Sequence, residues 1–162
     1  MFSRKPPNVK SRGSRSKYKH IELKCTWGTS HDYVGMMLDF ENGRLTMYMV
    51  AYVKNMLEEI PLEFKANEKV ANPVTSDMFD SDDDKYLNTE QRELFHRTIA
   101  RALFLCKRGR PDVQPIVSVL CTRVKKPTGK DMNKLVRMMR FLNSTVEDKL
   151  VLSTENGIKT IE

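Results

Sequence analysis

Ten cations carry the most evident chemistry in this chain: Arg97, Arg101, Lys107, Arg108, Arg110, Lys126, Lys130, Lys134, Arg137 and Arg140. Several lie three or four residues apart, a spacing that puts them on one face of a helix. Lys and Arg in that array neutralise phosphates, which positions a nucleic-acid backbone without reading its bases. The same array also serves as a solvated helix face or as a dock for an acidic protein surface. Other chemistry is poorly provided for. Asp80, Asp82 and Asp84 fit the first, third and fifth places of a calcium loop, but Lys85 replaces its glycine and Gln91 its closing glutamate. The cluster from Asp77 to Asp84 lies in loop sequence, whereas a two-metal polymerase site needs carboxylates on rigid strands. His20, His31 and His96 have no second ligand one turn away, and no phosphate-binding glycine loop, nucleophile elbow or zinc-protease helix is present. Cys25, Cys106 and Cys121 are odd in number and lack a Cys-x-x-Cys pair, so a disulfide framework or zinc site is not expected.

The elements that must position the cations are legible from local pattern. Asn88 reads as a helix cap with Gln91 placed to reach back to it, and Leu94, Phe95, Ile99, Ala102, Leu103 and Cys106 form the apolar stripe that follows. Arg110-Pro111-Asp112 breaks the helix, and Pro115 is expected to kink the next one. Thr128 caps a third helix with Asp131 three residues on, its apolar side Leu135, Met138, Met139 and Leu142. Upstream, Tyr33 to Phe40 reads as one strand carrying Val34, Met36, Leu38 and Phe40 on one face. Asn42-Gly43 then supplies a tight primed turn, and Leu45 and Met47 return. Gly35 interrupts that strand as a bulge or a place of close backbone approach. Ile21 to Trp27 is a further strand-like run. Tyr52, Val53, Met56, Leu57 and Ile60 stripe a helix that Pro61 ends, and Leu62 to Leu87 is a long loop, mobile or functional. Leu150 to Leu152 and Ile158 to Ile161 flank a second turn, as a short hairpin.

Charge is unevenly distributed along the 162 residues. Residues 1–20 hold seven Lys or Arg and no acid. Residues 21–91 net −8, residues 92–140 net +10, and residues 141–162 net −2. A basic tail, an acidic middle and a basic helical half suit an oriented polyanionic partner. The tail has almost nothing to bury and reads as disordered, whether a solvated end, a phosphate binder, a nuclear import signal or a transit segment. No apolar run reaches the roughly 18 residues that span a bilayer, so an intracellular, cytoplasmic or nuclear, protein without membrane partners is expected.

Taken in order, several stretches resemble the C-terminal part of the reverse transcriptases of copia-type LTR retrotransposons. They are His31-Asp32-Tyr33-Val34-Gly35-Met36 with Leu38-Asp39-Phe40, Tyr52-Val53 with Met56-Leu57, Asn72-Pro73-Val74, Leu103-Phe104-Leu105 through Arg110-Pro111-Asp112, and Arg137 to Thr145. The resemblance implies that Tyr33, Val34, Gly35 and Met36 correspond to a primer grip. It also implies that the helices from Asn88 are a thumb whose cations face an RNA–DNA or DNA duplex, sequence-nonspecifically, with other polyprotein pieces as further partners. The family's catalytic carboxylates, which hold magnesium, have no counterpart here, and the expected fragment is therefore noncatalytic and cofactor-free. The fold expected is α+β: a β-hairpin packed with a three- to four-helix bundle. Its parts are a tail (1–20), the hairpin with the first helix (21–60), an acidic loop (61–87), the thumb-like helices (88–145) and a hairpin leading to a missing RNase H domain (146–162). The alternatives are a structural or protein-interaction module and a relic open reading frame without selected function.

Overall fold

A computed structural model describes residues 27–59, 70–80 and 85–153. The predicted strand at Ile21, the basic tail, the cluster Asp82 to Asp84 and the second half of the C-terminal hairpin lie outside these residues. The fold is α+β, with a four-stranded antiparallel sheet and four α-helices among the described residues. Strand β1 (Ser30–Tyr33) pairs with β2 (Met36–Glu41), β2 with β3 (Arg44–Tyr48), and β3 with β4 (Leu150–Ser153). Helices α1 (Val50–Glu58), α2 (Thr89–Cys106), α3 (Gln114–Arg123) and α4 (Gly129–Ser144) all fall between β3 and β4, with a 3₁₀ turn at Pro111–Val113. The helical body is thus an insertion between two hydrogen-bonded neighbours, entering after Tyr48 and leaving before Leu150. At that doorway Lys54 pairs with Glu147 at 3.0 Å and the Lys149 ammonium lies 5.0 Å from the Tyr48 ring centroid.

Two expectations about the sheet need correction. Tyr33 to Phe40 is not one strand, because the chain reverses at Val34-Gly35 with φ of +55° and +74° and Tyr33 pairs directly with Met36. Both central residues are left-handed, as in a primed two-residue turn, and the Gly35 N–H donates to Asp32 Oδ1 at 3.2 Å. Gly35 is therefore a turn glycine, neither a bulge nor a close approach: a Cβ built on it would meet nothing within 4 Å. The predicted turn at Asn42-Gly43 forms, with φ of +49° and +74° and Glu41 opposite Arg44. The second is at β4, which joins β3 as the fourth strand of the same sheet, a pairing the expected C-terminal hairpin does not include. Pairing aligns His31, Leu38, Met47 and Leu150 across the sheet, and beside them Phe40, Leu45 and Leu152. This apolar face is left partly open, with no strand residue buried.

The core is built by the helices and their joints. Val53 and Met56 of α1, Phe95, Ile99, Ala102 and Leu105 of α2, Val113, Ile116, Val117 and Leu120 around α3, and Leu135, Met138, Met139 and Leu142 of α4 are all buried together. Thioethers fill much of it: Met49, Met56, Met132, Met138 and Met139 are buried, whereas Met36, Met37 and Met47 on the sheet are partly exposed. Both predicted capping boxes form. The Asn88 side chain accepts from the Gln91 N–H at 2.8 Å and the Gln91 side chain accepts from the Asn88 N–H; Thr128 and Asp131 exchange the same pair of bonds. Each satisfies two amide donors that a helix start leaves without intrahelical partners. Pro115 does not kink α3. It lies in the helix's first turn, where its missing N–H has no intrahelical acceptor to lose.

Residues 70–80, the longer described part of the predicted long loop, are strapped along α4. Val70 is buried and its carbonyl accepts from Ser144 Oγ at 3.2 Å, Arg137 Nε donates to the Asn72 carbonyl at 3.1 Å, and Lys134 Nζ donates to the Asp80 carbonyl at 2.8 Å. The α2 C-terminus is bound to the end of α4 by Arg110, whose guanidinium donates to the Thr145 carbonyl at 2.8 Å, Thr145 Oγ1 at 2.7 Å and both Asp112 carboxylate oxygens.

Candidate nucleic-acid interface

The ten predicted cations divide into those that hold the fold together and those that face outward. Arg110 is 4% exposed and Lys134 6% exposed, so neither can reach a phosphate along the surface of a duplex. Their long side chains are drawn inward because Thr145, Asp112 and the Asp80 carbonyl offer acceptors there. Arg137 is half-buried on the strap. The Thr75 hydroxyl above all, and then the Lys134 and Arg137 charges, hold the Asp77 carboxyl below its usual range, so these two cations act on the strap. Arg101 bridges to Glu59, with Arg97 4.0 Å from the same carboxylate. Arg108 lies over Phe104, its Cζ 3.7 Å from the ring centroid, and donates to the Phe104 carbonyl near the end of α2. Arg140 is half-buried on α4, while Lys107, Lys126 and Lys130 are exposed. Arg110 and Lys134 therefore do not join the single basic face expected from the helical spacing.

Nor does the predicted grip make one site with them. Tyr33 and Val34 stand exposed at the tip of the β1–β2 turn with Gly35, and Met36 packs against the rim of the helical core. His31 beside them serves the sheet, its Nε2 3.0 Å from the Gly28 carbonyl and its ring edge-on to Phe40.

Cations gather instead at the elbow between α3 and α4. Arg123, Lys125 and Lys126 line a pocket of about 330 Å³ with Tyr86, Thr122, Thr128 and Asp131. Its geometry is fixed by the segment preceding α2. Tyr86 bridges to Thr128, the Leu87 N–H donates to the Pro127 carbonyl at 3.0 Å, and the Gly129 N–H donates to the Lys85 carbonyl at 3.1 Å. Pro127 is buried, which anchors the turn. Of the pocket's residues, Lys126 belongs to the predicted cations and Thr128 and Asp131 to the predicted helix cap. Arg123 and Lys125 were legible as parts of the run Arg123-Val124-Lys125-Lys126, but Tyr86 is brought in by pairing with a residue more than forty positions away, which leaves no local signal.

Among the described residues no group of three or more His, Cys, Asp or Glu gathers as a metal would require, and no helix is long and apolar enough to cross a membrane. Burial pushes the thiols of Cys106 and Cys121 up, in Cys106 against the opposing Lys107 charge, so neither is an activated thiolate. No protein-family model matches the chain, and no solved structure matches it.

Proposed function

We propose that this chain is a noncatalytic nucleic-acid-binding module, a thumb-like piece of the kind found in copia-type reverse transcriptases, which holds a duplex backbone at the α3–α4 elbow. The supporting observation is the distribution of cations. Arg101, Arg137, Lys134, Arg108 and Arg110 are turned to Glu59, Asn72, Asp80, Phe104 and Thr145, while Lys125 and Lys126 stand exposed beside Arg123 on a braced turn. Exposed Lys and Arg on a rigid loop bind phosphate electrostatically and release counterions as they do so. A labelled RNA–DNA hybrid and the matching DNA duplex, titrated by fluorescence anisotropy across a salt series, test the reading. With about three phosphates neutralised, log affinity should fall against log salt with a slope of about −3. Lys125→Glu with Lys126→Glu should flatten that slope by about two. An unchanged slope in this variant would remove the elbow from the interface, and salt-independent or absent binding would sink the reading as a whole.

A second reading, a protein-interaction module, is favoured by the sheet. Its apolar face is partly open, and Phe40, Leu45 and Leu152 line a groove of about 490 Å³ beside the Asn42-Gly43 turn. Open apolar surface of this kind marks interaction sites.

A further inference from the structure

We infer that the elbow pocket takes a single unpaired nucleotide, its phosphate against Arg123, Lys125 and Lys126 and its base on the Tyr86 ring; the inference rests on the nucleic-acid reading above and names the unit bound. Three observations carry it. Arg123 lines the pocket, and its Nε–H has no acceptor among the described residues. A donor left so favours a group that supplies an acceptor, and the planar fork of a guanidinium pairs with two oxygens of a phosphate. Tyr86 is 63% exposed and lines the same pocket, with no other ring stacked on it among the described residues. An aromatic face beside cations is the arrangement on which unpaired bases stack, whatever their identity. Finally, about 330 Å³ is at the lower end of small-ligand sites and far too small for a base-paired helix, so what enters is one unit of a strand.

Asp131, the one acid among the described residues of the lining, is already committed. Its Oδ2 accepts from the Thr128 N–H at 2.9 Å and the Thr128 hydroxyl at 3.1 Å, and the residue is only 4% exposed. Among the described lining residues, three cations stand beside one carboxylate that is held in a helix cap. Because Tyr86 contributes to the bridge through its backbone, its side chain can be changed without unpicking the turn.

The test compares the full-length chain binding a blunt duplex and the same duplex with a short single-stranded overhang, with adenosine monophosphate and inorganic phosphate as competitors. The overhang should bind about tenfold more tightly, the worth of one stacked base. Tyr86→Ala should abolish that preference and Tyr86→Phe retain it, while Arg123→Gln should weaken the overhang form more than the blunt one. The nucleotide should compete away the preference at concentrations where inorganic phosphate does not. Equal, salt-dependent affinity for the two duplexes would overturn the pocket and leave the duplex reading standing, as would a preference that survives Tyr86→Ala. If neither duplex binds but adenosine monophosphate shifts the Tyr86 and Lys126 amide resonances, the ligand is a free nucleotide and the duplex reading falls. No response to any of these ligands would overturn both.

Discussion

Removing the Arg110 guanidinium would strand several acceptors at once, because the one side chain serves the Asp112 carboxylate, the Thr145 hydroxyl and the Thr145 carbonyl, with the Phe141 ring 5.5 Å away. Two of these bonds reach 35 residues along the chain and close the α2 elbow onto the end of α4. Arg110→Ala is therefore expected to destabilise the protein by about 3 kcal/mol, the order for breaking a buried charged hydrogen-bond network. Arg110→Lys should recover only part, since an ammonium cannot reproduce the planar fork. Urea unfolding followed by circular dichroism measures both, and a midpoint unmoved in Arg110→Ala would remove Arg110 from the framework. At this scale the sequence reveals residue type and spacing but not direction. Arg110, Lys134 and Lys126 look alike in the sequence, and only the distant acceptors decide which of them turns inward.

Caps and turns are legible where their chemistry is local. Asn88 with Gln91, Thr128 with Asp131 and Asn42-Gly43 each carry their own signal within a few residues, and all three form. The turn at Val34-Gly35 is hidden because a β-branched residue occupies a left-handed position, and because the apolar alternation continues through it into Phe40. That conformation costs a non-glycine residue about 1–2 kcal/mol. Val34→Asn, which tolerates the left-handed region, is expected to raise hydrogen-exchange protection of the β1–β2 amides roughly fivefold, about 1 kcal/mol. Unchanged or reduced protection would mean that Val34 contributes packing the exposed tip does not suggest. The pairing of β4 with β3 is illegible for a different reason, since its partner lies about a hundred residues earlier and a strand of four residues, three of them apolar, specifies no particular partner.

As a whole, the molecule is a helical body suspended from two adjacent strands of a sheet that buries none of its own residues. The α+β class and the +10 half are visible in composition and period, but the division of that charge between framework and surface depends on acceptors such as Asn72, 65 residues from Arg137. The methionines of this arrangement form a chemical clock. Dilute peroxide reaches the sulfurs of Met36, Met37 and Met47 on the closed molecule, whereas those of Met56, Met138 and Met139 become reachable only when the helices part. Peptide mass spectrometry should show sulfoxide appearing first on the sheet and later in the body, in step with its opening; simultaneous oxidation would mean that the body does not stay shut. A sulfoxide is polar and does not repack among Phe95, Ile99 and Leu142. Each opening caught by oxidant then leaves a mark that only a sulfoxide reductase removes, and the chain ages by the frequency with which it breathes.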